Sequence, residues 1–256
     1  MGEPPTTYDL VNNSWKSTTN IIFGETPGEM KEYDAYLREP LVGKSVESFL
    51  SGKDVFVTSM QYDPKSRFFD YEADMKSAES ILSKPIDINK IKDIDSLFEA
   101  VQEKIIYSGN KILGNSHYVE NSDSVTDSNY VFNSSMVFSA KYIAYSYMMR
   151  KTEYGFASTC TGDSTMTIRC FYNNAIRRCF ECITVASASD CFFCHNLLDS
   201  ADCMFTFNKR ATRNMIGNIQ LTKEQYVKLK IKLVGEIVED LKVKKRAMSL
   251  LNLMTK

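Results

Sequence analysis

From residue 117 the chain repeats small, apolar and polar positions every six residues. Written in sixes from His117, it reads HYVENS, DSVTDS, NYVFNS, SMVFSA and KYIAYS. The sixth position is nearly always small as far as Thr206, and the third is mostly Val or Ile and later Cys. No insertion interrupts this phase. Self-similarity at a fixed period is typical of a solenoid, so the pattern predicts a narrow, repetitive β-structure.

A second period, of twelve residues, lies on top of the first. Tyrosine occupies alternate second positions in the early repeats, and phenylalanine recurs at the fourth position at multiples of twelve. The two sets are Tyr118, Tyr130, Tyr142 and Tyr154, and Phe132, Phe156, Phe180 and Phe192. A coil of about 12 residues stacks each set into a ladder on its exterior, whereas a coil of about 18 would scatter the tyrosines. We therefore predict a mainly β protein, a single-stranded β-helix with small residues filling its narrow interior.

The chain outside the repeats predicts an arm and two helical caps. The divisions are 1–85, an extended N-terminal arm with a short strand; 86–108, a capping helix; 109–208, the β-solenoid; and 209–256, a C-terminal capping helix and tail. The strand is placed at Asp54–Tyr62, where side chains alternate in character. Capping boxes at Ser96 with Glu99 and at Thr222 with Gln225 begin the two helices. Solenoid ends expose unpaired strand edges, so a helix is expected over each end.

The two aromatic ladders form the predicted interaction surface. Large apolar patches that stay uncovered mark interaction sites, so all eight aromatic residues are candidates for contact with other protein subunits. The arm offers a competing explanation, because Trp15 and Phe23 could cover the ladders from within the same chain. The sequence leaves both explanations open.

The cysteines allow a metal site or an internal ladder. All seven lie between residues 160 and 203, and without a secretory leader an odd number indicates reduced thiols. Cys179-x-x-Cys182 and Cys191-x-x-Cys194 have the spacing of zinc ligands. They also fall in the small-residue phases of the repeat, where cysteine behaves as a small buried apolar residue. We expect cysteine ladders with no metal and no cofactor, and a cytosolic metal-binding or redox module is the alternative.

Charge and motifs exclude further classes of function. The net charge of -1 gives no attraction to nucleic acid, and no apolar run is long enough for a membrane span. Gly2 with Thr6 matches the N-myristoylation pattern. The two histidines, His117 and His195, lie at outward positions, and no phosphate-binding loop or paired-carboxylate site is present. We expect a protein that is not an enzyme, in the cytoplasm or a virion and not secreted; an acyltransferase-like site near His195 is the enzymatic alternative.

The end of the repeats resembles a family of uncharacterised Ser/Cys-rich narrow β-solenoid proteins. The similar segment runs from Cys191 to Leu229, where stacked cysteines give way to Asn208-Lys209, then Ile216, and then a helix start at Thr222–Tyr226. Members occur in candidate-phylum bacteria, archaea and large DNA viruses. The resemblance covers about half of the chain, which has fewer cysteines and more Tyr and Ser in its early coils.

The resemblance carries no enzymatic activity and sets the expected function. Its viral members, together with the long arm, imply a structural or assembly protein, namely a minor capsid or cementing component of a large virus particle. The second possibility within this class is a protein-binding solenoid scaffold outside a virus. In both cases the expected partners are other protein subunits of a large assembly.

Overall fold

The central feature of the structure, a computed structural model that describes residues 4–58 and 61–253, is a β-solenoid of about 9 turns. Each coil has about 12 residues, and a few helices lie at the N-terminus and C-terminus. The predicted fold class and coil length are therefore confirmed. The arm and the caps differ from the prediction.

The N-terminal segment is helical, which corrects the predicted extended arm. Helix α1 (Thr7–Phe23) begins with a capping box and ends at Gly24, whose φ of 85° is left-handed. A 3₁₀ turn (Met30–Tyr33) leads into the short helix α2 (Asp34–Arg38). The sequence hides α1 because its buried face mixes polar and apolar residues, which weakens the helical period. That face comprises Val11, Asn12, Ser14, Trp15, Thr18, Thr19, Ile22 and Phe23.

A small lobe follows, before the coils begin. Its elements are β1 (Lys44–Glu47), β2 (Asp54–Val57), β3 (Arg67–Asp70), α3 (Met75–Leu82), a 3₁₀ turn (Ile88–Lys90), α4 (Ile94–Val101), a second such turn (Gln102–Lys104) and β4 (Ile106–Gly109). Strands β1 and β2 pair antiparallel, β3 and β4 pair parallel, and Val55, Val57 and Phe68 form the core. The strand predicted at Asp54–Tyr62 therefore ends at Val57, and residues 59 and 60 lie outside the described residues.

The capping helix predicted at 86–108 does not cover the first coil. The α-helix in this range is α4, which starts after Asp93 and has no buried residue. The first coil is met instead by β2: the Asn110 N–H donates to the Phe56 carbonyl at 2.9 Å, and the Phe56 N–H donates to the Asn110 side chain at 2.8 Å. An extended segment can satisfy the open backbone groups of a strand edge, and the lobe supplies one.

The coils run through short strands from residue 112 to residue 220. They are β5 (Ile112–Leu113), β6 (His117–Glu120), β7 (Asp123–Thr126), β8 (Asn129–Phe132), β9 (Ser135–Phe138), β10 (Lys141–Ala144), β11 (Tyr147–Arg150), β12 (Glu153–Phe156), β13 (Thr159–Gly162), β14 (Thr165–Ile168), β15 (Phe171–Phe180), β16 (Ala186–Phe192), β17 (His195–Leu198), β18 (Ala201–Met204), β19 (Phe207–Arg210), β20 (Arg213–Ile216) and β21 (Ile219–Gln220).

The pairing register confirms the predicted phase. Every parallel pairing from His117 onward joins residues twelve apart, from His117 with Asn129 to Met204 with Ile216. The solenoid continues past the predicted end at residue 208, because β20 pairs with β18 and then antiparallel with β21. Before His117 the register differs by one residue, since Ile112 pairs with Val125.

Left-handed backbone at every third residue turns the coil. From Tyr118 to Asn214 each third residue has φ between 45° and 61°. These residues occupy the second and fifth positions of each six, so a coil of twelve has four corners and four short sides. The left-handed region costs an L-residue about 1–2 kcal/mol, and Asn and Asp tolerate it best. Many corners are Asn or Asp, but Tyr, Met, Phe and Arg also occupy them, so the sequence gives no clear sign of this geometry.

From Ser122 to Thr206 the third and sixth positions point inward and are buried. In the early coils the sixth position forms a ladder of hydroxyl groups along the axis. The Ser146 hydroxyl donates to the Ala144 carbonyl at 2.9 Å and accepts from the Ser158 N–H at 3.1 Å. Serine therefore satisfies a buried backbone donor of the next coil while occupying little volume.

The C-terminal helix begins where the sequence predicts but lies in a different place. Helix α5 (Lys223–Lys244) starts with the Thr222–Gln225 capping box, and a short α6 (Leu250–Leu253) follows. The ammonium group of Lys230 lies 5.3 Å from the centre of the Phe192 ring, so α5 packs along the side of the coils and not across their end. The last coil is closed by Asn218, whose side chain accepts from the Phe207 N–H and donates to its carbonyl.

The corner geometry predicts that Thr184→Asn stabilises the protein by about 1 kcal/mol. Thr184 is exposed and is the β-branched residue of the corner series, with φ of 55°. Urea unfolding followed by circular dichroism measures the change. Thr126→Asn, at a half-buried strand position without positive φ, is the control and should not stabilise; equal gains from both would contradict the corner argument.

Candidate functional site

The phenylalanine ladder is covered by the protein's own helices. Phe132, Phe156, Phe180 and Phe192 are at most 8% exposed. The Trp15 ring meets Phe156 edge-on at 5.4 Å between centroids, and Phe23 meets Phe180 at 5.1 Å. The explanation that Trp15 and Phe23 cover a ladder is therefore confirmed for this one. The phenylalanines belong to the folding core, and their place in the predicted interaction surface is corrected.

The tyrosine ladder lies on the corner of the coil next to the phenylalanine row and remains accessible. Adjacent rings in the order Tyr118, Tyr130, Tyr142 and Tyr154 have centroids 5.1, 4.6 and 4.9 Å apart, with interplanar angles of 14°, 3° and 13°. Tyr118 is 53% exposed, and the other three are half-buried. Because the rings stack on one another, they present their edges and hydroxyl groups to solvent.

Four polar side chains lie beside the tyrosine ladder and line a groove together with it. His117, Asn129, Lys141 and Glu153 precede the four tyrosines, and the eight residues line an open depression of about 890 Å³, here called the Tyr groove. The charges of Lys141 and Glu153 cancel. Burial, and then the neighbouring phenols, raise the pKa of Tyr142 above its ordinary value, so this phenol stays neutral at pH 7.

The Tyr groove is suited to binding through side chains. Its backbone groups are used between coils, as where the Lys141 N–H donates to the Thr152 carbonyl at 3.1 Å. An incoming strand therefore finds few free partners here, and recognition depends on aromatic edges, hydroxyls, an amide and two charges. Such a surface combines packing area with hydrogen bonding, as protein interfaces rich in tyrosine do.

A buried charged network lies at the corner on the other side of the phenylalanine row from the tyrosine ladder. Arg169 is 2% exposed, and its Nε lies 2.5 Å from Glu181 Oε1. Its Nη1 donates to the Tyr36 carbonyl at 2.8 Å and lies 3.0 Å from Glu39 Oε2. The Ser249 hydroxyl donates to the second oxygen of Glu181 at 2.9 Å. Burial raises the pKa of Glu181 although Arg169 opposes the shift.

This network joins three distant parts of the chain. Tyr36 belongs to the N-terminal arm, Arg169 and Glu181 to successive coils, and Ser249 to the C-terminal segment. A buried ion pair must satisfy its groups to offset their desolvation, and here each charge has several partners. Its role is to position the covering segments. The sequence did not indicate it, because corner residues in a repeat are expected to be solvated.

The network predicts a large stability effect at Arg169. Arg169→Met leaves the Glu181 carboxylate buried without its charge partner, so we expect a loss of about 3–5 kcal/mol. Adding Glu181→Leu should restore most of that loss, because the stranded charge is removed. Urea unfolding of the three proteins tests this cycle.

Arg178→Met is the matched control for that cycle. Arg178 pairs with Asp190 at 2.6 Å at a half-buried corner, where a pair contributes about 0–1 kcal/mol. A loss at Arg169 no larger than the loss at Arg178 would show that the network does not hold the covering segments.

The cysteines form the predicted buried ladders. Cys170, Cys179, Cys182, Cys191, Cys194 and Cys203 are free and buried, and Cys160 is half-buried. The Cys182 Sγ lies 3.5 Å from the Phe180 carbonyl oxygen and 3.3 Å from that of Cys191, so the thiol replaces the serine hydroxyl of earlier coils. Burial raises the pKa of Cys182 well above its ordinary value. Among the described residues no group of three or more His, Cys, Asp or Glu could hold a metal ion.

Thiol reactivity follows from this burial. We expect the native protein to react with a maleimide at Cys160 alone, and all seven cysteines to react after unfolding in urea. Intact-mass spectrometry counts the adducts, and Cys160→Ser should abolish the native reaction. Rapid native labelling at Cys179 or Cys191 would contradict the ladder and favour a redox site.

The two histidines are not brought together. His117 contacts the Asn115 side chain at 2.9 Å at the start of the solenoid. His195 is half-buried near the other end and makes no side-chain hydrogen bond within the described chain. Asp190, a carboxylate near His195 in the sequence, accepts a hydrogen bond from Arg178 instead. The structure therefore offers no general base with an orienting carboxylate at His195.

Comparison with models of known protein families gives no match, and comparison with curated protein sequences gives none either. In the described part of the chain, no helix has both the length and the apolar character needed to cross a membrane. The myristoylation pattern at Gly2 lies outside the described residues.

Proposed function

We propose that this protein is a non-enzymatic structural subunit that binds other protein subunits through the Tyr groove. The observation that carries the proposal is the contrast between the two aromatic ladders. The chain uses its own helices to cover the phenylalanines but leaves the stacked tyrosines accessible beside a row of polar side chains. Aromatic residues with a polar end are enriched where proteins meet.

The rigidity of the solenoid supports this role. Each coil is bonded to its neighbours over the whole repeat, and α1 and α5 add a second layer on one side. A surface that is already ordered loses little conformational entropy when a partner binds. The Tyr groove is therefore presented in one fixed arrangement, as a docking surface requires.

The setting of the assembly rests on the family resemblance. Similarity to solenoids of large DNA viruses favours a minor capsid or cementing protein, located in the virion or in the cytoplasm where particles form. A scaffold in a non-viral assembly is the second form of the same proposal. Contact with nucleic acid is not part of either, because the Tyr groove carries no net positive charge.

Sedimentation of the native source material tests the proposal. The wild-type chain, followed by mass spectrometry, is expected to stay with a large particle through a high-salt wash, since aromatic contacts are less screened than charges. A variant with Tyr130→Ser and Tyr142→Ser should be released. Tyr172→Ser, at an exposed tyrosine on another corner, is the control and should remain bound.

Circular dichroism of the purified variants is expected to show that both retain the solenoid. A wild-type chain that sediments at its own mass would contradict the proposed role. Equal retention of all three proteins would contradict the assignment to the Tyr groove.

A further inference from the structure

The charged residues of the Tyr groove form a pattern that is complementary to the same groove on a second, inverted copy of the chain. Lys141 and Glu153 occupy the same position on successive coils, one rung apart in the pairing register. Both side chains are exposed, and within the described chain neither has an ion-pair partner. Opposite charges thus stand side by side along the coil axis, flanked by Tyr142 and Tyr154.

A two-fold axis between these two coils brings unlike charges together. If the axis lies in the contact plane and perpendicular to the coil axis, the two solenoids run antiparallel and each column of side chains faces the same column. Lys141 then faces Glu153 of the second copy, and Glu153 faces Lys141 of the second copy. Tyr142 and Tyr154 face each other in the same way. A closed, isologous contact has this reciprocal form.

The outer rows of this arrangement also match. Asn129 faces Thr165 of the second copy, and His117 faces Arg177 of the second copy, where a neutral histidine can accept a hydrogen bond. An arrangement with parallel coil axes places Lys141 against Lys141 and is disfavoured by repulsion. Among antiparallel registers, an axis midway between these two coils is the one that pairs Lys141 with Glu153. The sequence of side chains along one column therefore selects both the orientation and the register.

We infer that the partner on the Tyr groove is a second copy of this chain, bound antiparallel about a two-fold axis. This inference rests on the proposed function and gives the identity of one subunit at that surface. A second copy fits better than a charged polymer, because the groove has no net charge. It also fits better than an added strand, because the backbone groups of this face are already paired.

The contact is expected to be modest in strength. The rows from His117 to Arg177 are one coil apart, so they span about 24 Å at about 4.8 Å per coil. A surface of that length is at the small end of specific interfaces, so the pairing should be reversible and depend on concentration. Multiple copies in an assembly would raise its effective strength.

Charge exchange provides the test. The purified full chain is examined by sedimentation velocity from about 1 µM to about 1 mM, a range that covers weak association. Wild type is expected to shift from monomer to dimer within it. Lys141→Glu alone and Glu153→Lys alone should each weaken association at least tenfold, because each places like charges together at both sites. The double exchange, Lys141→Glu with Glu153→Lys, should restore it.

Arg150→Glu is the control, since Arg150 is an exposed cation on a different side of the coil. It should leave association unchanged, and circular dichroism should be unchanged in every variant. A wild type that stays monomeric throughout, or a dimer insensitive to both single exchanges, would overturn the pairing. Neither result would overturn the structural role, which is decided separately by retention on native particles.

Discussion

The left-handed backbone at every third residue is the constraint on which this fold depends. It turns the chain four times in twelve residues, so successive coils stack with the same residues above one another. The interior left between four close corners is narrow, which explains why the third and sixth positions are mostly Ser, Cys, Thr or aliphatic residues. The same stacking converts each exterior position into a ladder. The hydroxyl, thiol, phenylalanine and tyrosine ladders are four results of one backbone repeat.

The exterior ladders differ because their chemistry differs. A row of phenylalanines has no polar atoms, so it must be covered, and α1 and α5 do so. The tyrosine rings stack face to face, and their hydroxyl groups let the row remain accessible to water. The buried Arg169–Glu181 network then fixes where the covering segments lie. One side of the coils is thereby covered as part of the folded core, and the adjoining corner stays accessible.

The repeat could be read from the sequence because its phase is uninterrupted from His117 to the last coil. The ladders, the cysteine phases and the start of α5 follow from that phase and from local capping. Helix α1 could not be read in the same way, since Asn12, Thr18 and Thr19 are buried on a face expected to be apolar. Arg169 and Glu181 lie at corner positions, where solvation is the ordinary expectation. Which aromatic ladder is covered depends on packing between distant segments, so residue spacing alone left it open.

The unbroken register also determines how such a molecule can change over evolutionary time. Within the stacked region, an insertion of one residue would rotate every later side chain away from its ladder, and an inward serine would move to the outward first position of the next six. Only gain or loss of a whole coil preserves all ladders at once. The one-residue offset between Ile112 and Val125 lies before the regular coils begin, where no ladder has yet formed. The length of the rod is therefore quantised, and its reach can grow or shrink only in steps of about 4.8 Å.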